Sequence, residues 1–232
     1  MSRLHPTKFV VSVSGNLAAG KTTLCKRLEA ILKENGESRF RVLYERFEKI
    51  ETLPKFYGHL KKKGFVYNPY SLETQLAFLE DRTEQLSQAL SDPGCDLIIE
   101  DRSIYEFAQV FAKAHASMGL MSPPEYNIYK ERLGKLQYLP FPDLLLYLSR
   151  PTSSVVSRDR SIERGLAEKY LDELNINLQN FTTRMAAQKI DVYDPPKHML
   201  DSDYFITDAG CQSLINSIVK KNGSKIQNNE AK

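Results

Sequence analysis

The chain has 232 residues, with 32 lysines and arginines against 29 acidic residues and 41% hydrophobic content. That is sequence enough for one large domain with a sizeable core, and it excludes a disordered, fibrous or membrane-spanning chain. A net charge of +3 is too small for a polyanion-binding field, and the dispersed Cys25, Cys95 and Cys211 give neither a disulfide framework nor a zinc-ligand spacing. Nucleic acid and membrane are therefore not expected partners, and a reducing, cytoplasmic setting is the expectation.

Phe9 to Ser14 is a short apolar run ending in Gly15, after which Leu24, Leu28, Ile31 and Leu32 recur at helical spacing. Arg41 to Tyr44 predicts a second strand, followed by Glu45 and a polar, proline-broken stretch through Pro54. Leu72 to Leu90 is an amphipathic helix stopped by Asp92-Pro93-Gly94, and Asp96 to Glu100 is a third strand. Helices follow from Ile104 to Met118 and from Pro123 to about Gln137. Asp143 to Leu148 is the most apolar strand. Beyond it come a helix from about Thr152, a charged segment from Arg158 to Arg164, a long helix from about Leu166 to Ile190 and a last strand near Tyr204 to Thr207. The polar tail from Lys220 to Lys232, with its Asn-Gly pair, predicts disorder. Apolar strands alternating with helices predict a single α/β domain over residues 1–219, a parallel sheet of about five strands flanked by helices on both faces.

Gly15-Asn16-Leu17-Ala18-Ala19-Gly20-Lys21-Thr22 matches GxxxxGK[ST], between a predicted strand and a predicted helix. The motif defines a P-loop: backbone N–H groups and the helix N-terminus, through Thr23, face phosphate oxygens. Lys21 is expected to reach the outer phosphates of ATP, and Thr22 to ligate Mg2+. Ligands of a parallel sheet sit beyond the carboxyl ends of its strands. Glu45 follows the second strand and Asp101-Arg102-Ser103 ends the third, so a phosphate cradle, a base and a cation converge on one crevice. That is equipment for phosphoryl transfer to a hydroxyl.

With these motifs in place, the chain resembles the deoxyribonucleoside kinases over about Phe9 to Thr207. The resemblance implies ATP or another nucleoside triphosphate as donor, Mg2+ near Asp101, and a homodimer. Glu45 is then the base toward a sugar 5′-hydroxyl, with Arg102 near the 5′ end and the phosphates. Gln75 matches the helix glutamine that pairs with the base, Tyr57 a tyrosine at the sugar 3′-hydroxyl, and Phe111 an aromatic that stacks on the base. Arg158 to Leu171 resembles the family's lid, with Arg158 and Arg160 toward the donor and Glu163 toward the sugar; a solvated helix end is the plainer reading of those arginines.

The family usually has Glu-Pro-Val and a tryptophan after the second strand, whereas Glu45 is followed by Arg46-Phe47 and the chain has no tryptophan. Where purine- and cytidine-using members pair an arginine with an aspartate beside the base, this chain has Arg82 and Phe107. Unpaired donors on Arg82 predict a preference for guanine, whose edge is rich in acceptors. A thymidylate kinase-like monophosphate kinase and a noncatalytic subunit on the same fold are the competing readings.

Overall fold

The computed structural model describes residues 8–136, 138–150, 168–196, 199–200 and 206–230. Five parallel strands, β1 Phe9–Gly15, β2 Phe40–Leu43, β3 Leu97–Asp101, β4 Leu144–Leu148 and β5 Asp191–Tyr193, are ordered β2-β3-β1-β4-β5. β1 runs in register between Leu97–Asp101 on one side and Leu144–Leu148 on the other. The direction of winding reverses at β1, which opens a crevice at its carboxyl end.

The strands alternate their side chains between two apolar layers. Val11, Val13, Leu97, Ile99 and Leu146 pack on α1 Lys21–Glu34 and on a late helix, Asp208–Glu230. Val10, Ile98 and Leu145 face the other layer. That layer holds α2 Leu53–Lys63, α3 Ser71–Ser91, α4 over residues 104–117, α5 Pro123–Gly134 and the described helix α6 Glu168–Ala187; the Asp208–Glu230 helix is α7. Helix α4 starts as Ile104–Glu106, passes through a π-helical turn Phe107–Ala112 and ends as Lys113–Ser117. Ser103 caps it, its Oγ accepting from the Glu106 N–H at 3.1 Å.

Three expectations need correction. The stretch around Pro54 is not a break: Pro54 lies in the first turn of α2, where its missing N–H has no helical partner to lose. The fifth strand is Asp191–Tyr193, directly after α6, while Ile206 forms only an isolated antiparallel bridge with Leu200 and residues 201–205 lie outside the described ones. Residues 220–230 of the expected disordered tail continue a helix, and residues 231 and 232 lie outside the described ones. Buried Cys211, Leu214, Ile215 and Ile218 anchor α7, and a helix so nucleated propagates at little cost through the polar residues up to Glu230.

Candidate active site

Gly15 ends β1 with φ of 155°, and a Cβ there would come within 2.9 Å of the Leu148 carbonyl oxygen, so glycine is needed for the close approach. Asn16 organises the loop from within. Its Oδ1 accepts from the Leu17 N–H at 2.7 Å, and its Nδ2 donates to the Leu171 carbonyl at 3.0 Å and to Asn175 Oδ1 at 2.7 Å on α6. Ala18 is left-handed at φ 52°, Ala19 is buried, and Gly20 at φ 90° turns the chain into α1. Leu17 sends its side chain into the core, leaving the loop to present its backbone at the helix N-terminus, where anions are favoured.

Lys21 is buried and donates from Nζ to the Asn16 carbonyl at 2.6 Å. Burial, and then the charge of Arg102, push its ammonium down to about 8, so it remains largely protonated at neutral pH. Thr22 Oγ1 donates to Asp101 Oδ2 at 2.6 Å, while Asp101 Oδ1 is buried without a hydrogen-bond partner among the described residues. A hydroxyl beside a carboxylate with an uncommitted oxygen is the hard donor set that Mg2+ takes, so these residues fit that ion.

Arg102 leaves β3 with φ of 70°, a left-handed conformation that costs roughly 1–3 kcal/mol in a residue with a Cβ. The turn aims its guanidinium back across the sheet end. Nε donates to Glu45 Oε2 at 3.0 Å, Nη1 donates to the Gly15 carbonyl at 2.8 Å and pairs with Glu106, and the cation lies 4.5 Å from the Phe111 ring centroid. Burial opposes the charge, but Glu106, then Glu45 and Asp101, more than offset it and hold Arg102 as a cation. Burial also pushes Glu106 up, against the pull of Arg102.

Glu45 and Arg102 line a cavity together with Tyr57 of α2, Gln75 and Phe78 of α3, and Phe107 and Phe111 of α4. Its volume is about 20 Å³, room for one water. Leu17, Leu53, Phe56, His115 and Tyr170 complete the lining, and of these His115 had no part in the sequence reading. His115 is buried, with Nδ1 2.8 Å from Ser71 Oγ, Nε2 2.9 Å from the Tyr170 hydroxyl, and its ring stacked on Phe56 at 4.5 Å. Glu106 was missed as well: Arg102 lies ahead of the Ser103 cap, so no helical spacing joins the two, and the turn at Arg102 brings them together. Arg150 was also missed. It follows β4, is buried, and donates from Nε to the Ala19 carbonyl at 3.2 Å; a cation directly after a strand is the signal that marks it.

Arg82 is not among the cavity residues. It is buried, donating from Nη1 to the Leu43 carbonyl at 2.8 Å and from Nη2 to the Asp101 carbonyl at 2.6 Å. Where the ladder between β2 and β3 runs out, these strand-end carbonyls need donors, and the guanidinium supplies them. With these two carbonyls as its partners, Arg82 does not offer Nη1 and Nη2 to a guanine edge as expected. Arg158, Arg160 and Glu163 lie outside the described residues.

A P-loop at the end of a parallel sheet, with a carboxylate and a guanidinium between it and an aromatic cavity, defines a phosphotransferase of the P-loop class. The family model described as "Deoxynucleoside kinase" matches residues 11–221, and the chain belongs to the deoxynucleoside kinase family. It is 27% identical over 234 residues to the deoxyadenosine/deoxycytidine kinase of Bacillus subtilis (strain 168), covering 98% of this chain and 97% of that one. It is 28% identical to a deoxyguanosine kinase of Lactobacillus acidophilus, over 91% of this chain and 90% of the relative. The fold is also that of the deoxyadenosine kinase from M. mycoides with dCMP and dCDP bound, at a TM-score of 0.68 and 24% identity over 93% of this chain and 100% of that one. The chain is thus a kinase, and no helix among its described residues is long and apolar enough to cross a membrane.

Proposed function

We propose that the protein transfers the γ-phosphoryl group of ATP, or of another nucleoside triphosphate, to the 5′-hydroxyl of a deoxynucleoside. The observation that carries this is the Glu45–Arg102 pair, set between the P-loop and the aromatic cavity. The P-loop from Gly15 to Thr23 takes the donor phosphates. Thr22 and Asp101 hold Mg2+, which neutralises charge on those phosphates when bound. The cavity takes the nucleoside, with Tyr57, Gln75, Phe107 and Phe111 around sugar and base.

Glu45 accepts the proton of the attacking hydroxyl as the oxygen closes on phosphorus, acting as a positioned general base. Arg102, fixed by Glu45, Glu106 and the Gly15 carbonyl, keeps a cation where negative charge develops, and Lys21 supplies a second from the donor side. A monophosphate acceptor would need cations at the place Glu45 occupies, which disfavours the thymidylate kinase-like alternative. A homodimer working in cytoplasmic nucleotide salvage completes the proposal, as the family resemblance implies.

The test is incubation with ATP, Mg2+ and each deoxynucleoside, with the product identified as a 5′-monophosphate. Folded Lys21→Ala should lose nearly all turnover. Phosphorylation of deoxynucleoside monophosphates in preference to nucleosides would overturn the proposal.

A further inference from the structure

We infer that Asn175 of α6 is a positioning residue for phosphoryl transfer: through the side chain of Asn16 it fixes the backbone carbonyl on which Lys21 and Arg102 rest. The inference rests on the kinase reading above, in which those two cations face the developing charge. Asn175 belongs neither to the P-loop nor to the lining of the acceptor cavity, so it acts through another residue. The Asn16 carbonyl is where the two cations meet. Lys21 donates to it from Nζ at 2.6 Å, and Arg102 makes a longer bond to it from Nη2 at 3.5 Å, beside its bond from Nη1 to the Gly15 carbonyl at 2.8 Å. Lys21 comes from the start of α1 and Arg102 from the turn after β3, so one carbonyl sets the rest position of groups from two elements.

The peptide that carries this carbonyl is held by the Asn16 side chain. Carbonyl and Leu17 N–H belong to one planar unit, and the N–H donates to Asn16 Oδ1 at 2.7 Å, so the orientation of the carboxamide sets that of the carbonyl. The carboxamide is set in turn by α6. Its Nδ2 gives one proton to the Leu171 carbonyl at 3.0 Å and the other to Asn175 Oδ1 at 2.7 Å. Asn16 is 1% exposed, so bulk water does not stand in for a lost partner.

Helix α6 is a firm base for this hold. Leu171, Leu174 and Leu178 are fully buried in the core, and Tyr170 bonds His115 at 2.9 Å. Leu171 and Asn175 stand four residues apart and share one face of the helix. Asparagine is a poor choice inside a helix, where its carboxamide competes with the backbone; at 175 it is turned to the P-loop instead. Alanine there would keep the helix and the Leu171 bond, but would leave one Nδ2 proton of a buried carboxamide without its acceptor. The carboxamide then reorients, and the Asn16 peptide with it. A misplacement of about 1 Å, even one caused far from the chemistry, costs up to about 10²-fold in rate.

The experiment measures kcat and KM with varied deoxynucleoside at saturating ATP and Mg2+, beside thermal melts. Asn175→Ala should lower kcat by about 10- to 10²-fold and leave the nucleoside KM within several-fold, at an unchanged Tm. Asn175→Asp keeps an acceptor toward Asn16 Nδ2 and should hold kcat within several-fold of the wild type. In the background of Asn16→Ala, the change Asn175→Ala should cost nothing further, because its route of action is gone. If Asn175→Ala melts low, Asn175→Leu, of similar size to asparagine and without an acceptor, takes its place in each comparison. Wild-type kcat in the variant without an acceptor, an Asp variant equally slow, or the same loss in both Asn16 backgrounds overturns the inference and leaves the kinase reading intact. No transfer by the wild type to any deoxynucleoside would sink the kinase reading and this inference with it.

Discussion

His115 gives the protein a pH dependence that can be worked out from its surroundings. Burial pushes its imidazole from 6.5 down to about 3, since both ring nitrogens are spent on Ser71 and Tyr170 and no water solvates a charge. Between these values the unfolded chain binds a proton that the folded chain refuses, so stability is lost as pH falls through 6.5 toward 3. The slope is about 1.4 kcal/mol per pH unit, or ~2 kcal/mol by pH 5. Glu100 works in the opposite sense. Burial raises its carboxyl from 4.5 to about 7 against the pull of Arg82, so the folded state takes up its proton first and gains stability as pH falls from 7 toward 4.5. The two slopes largely cancel in the whole protein, and a variant is needed to separate them. His115→Gln keeps hydrogen-bonding capacity and does not titrate. In urea unfolding it should be less stable than the wild type near pH 7.5, and the gap should narrow by ~2 kcal/mol near pH 5. A gap equal at both pH values would refute the neutral, buried imidazole.

Glu45→Gln keeps shape and removes the base, so kcat should fall about 10²- to 10⁴-fold while calorimetric nucleoside affinity stays within several-fold of wild type; undiminished turnover would rule out the role. Arg82→Met strips donors from the Leu43 and Asp101 carbonyls and should cost about 2–5 kcal/mol in denaturant unfolding, with the rank order of kcat/KM across nucleosides unchanged. A changed order with little loss of stability would return Arg82 to the base site. Ile218→Ala, at a fully buried position of α7, should cost about 2–5 kcal/mol; a null effect would mean that α7 is not part of the core.

Much of this architecture was legible because it depends on local rules. A strand, a glycine loop and a helix in series specify a P-loop, and strand ends of a parallel sheet share one edge, which brought Glu45, Asp101 and Arg102 together before any coordinates. Gln75 and Phe111, which the family resemblance singled out, lie on the buried faces of α3 and α4. Arg82 was misplaced because spacing puts a side chain on a face without saying what it meets there. On α3 it meets carbonyls left over by the sheet, a neighbourhood assembled from residues 39 and 19 positions away. β5 has only three residues, too few for a period to show, and α7 owes its continuation past Lys220 to apolar residues upstream of the polar stretch. His115 gave no signal, since its two partners come from α3 and α6, 44 and 55 residues off.

The central position of β1 governs when this fold is completed during synthesis. β1 emerges from the ribosome first, yet its neighbours are β3 and β4, and the outer face of α1 is covered by residues 211–218 of α7. At about 5–20 residues per second, some 200 further residues take roughly 10–40 s, and through that interval α1 has an apolar face open to solvent, while β3 and β4 reach the two sides of β1 earlier. Slow decoding ahead of residues 211–218 would lengthen the time for which that face of α1 stays uncovered.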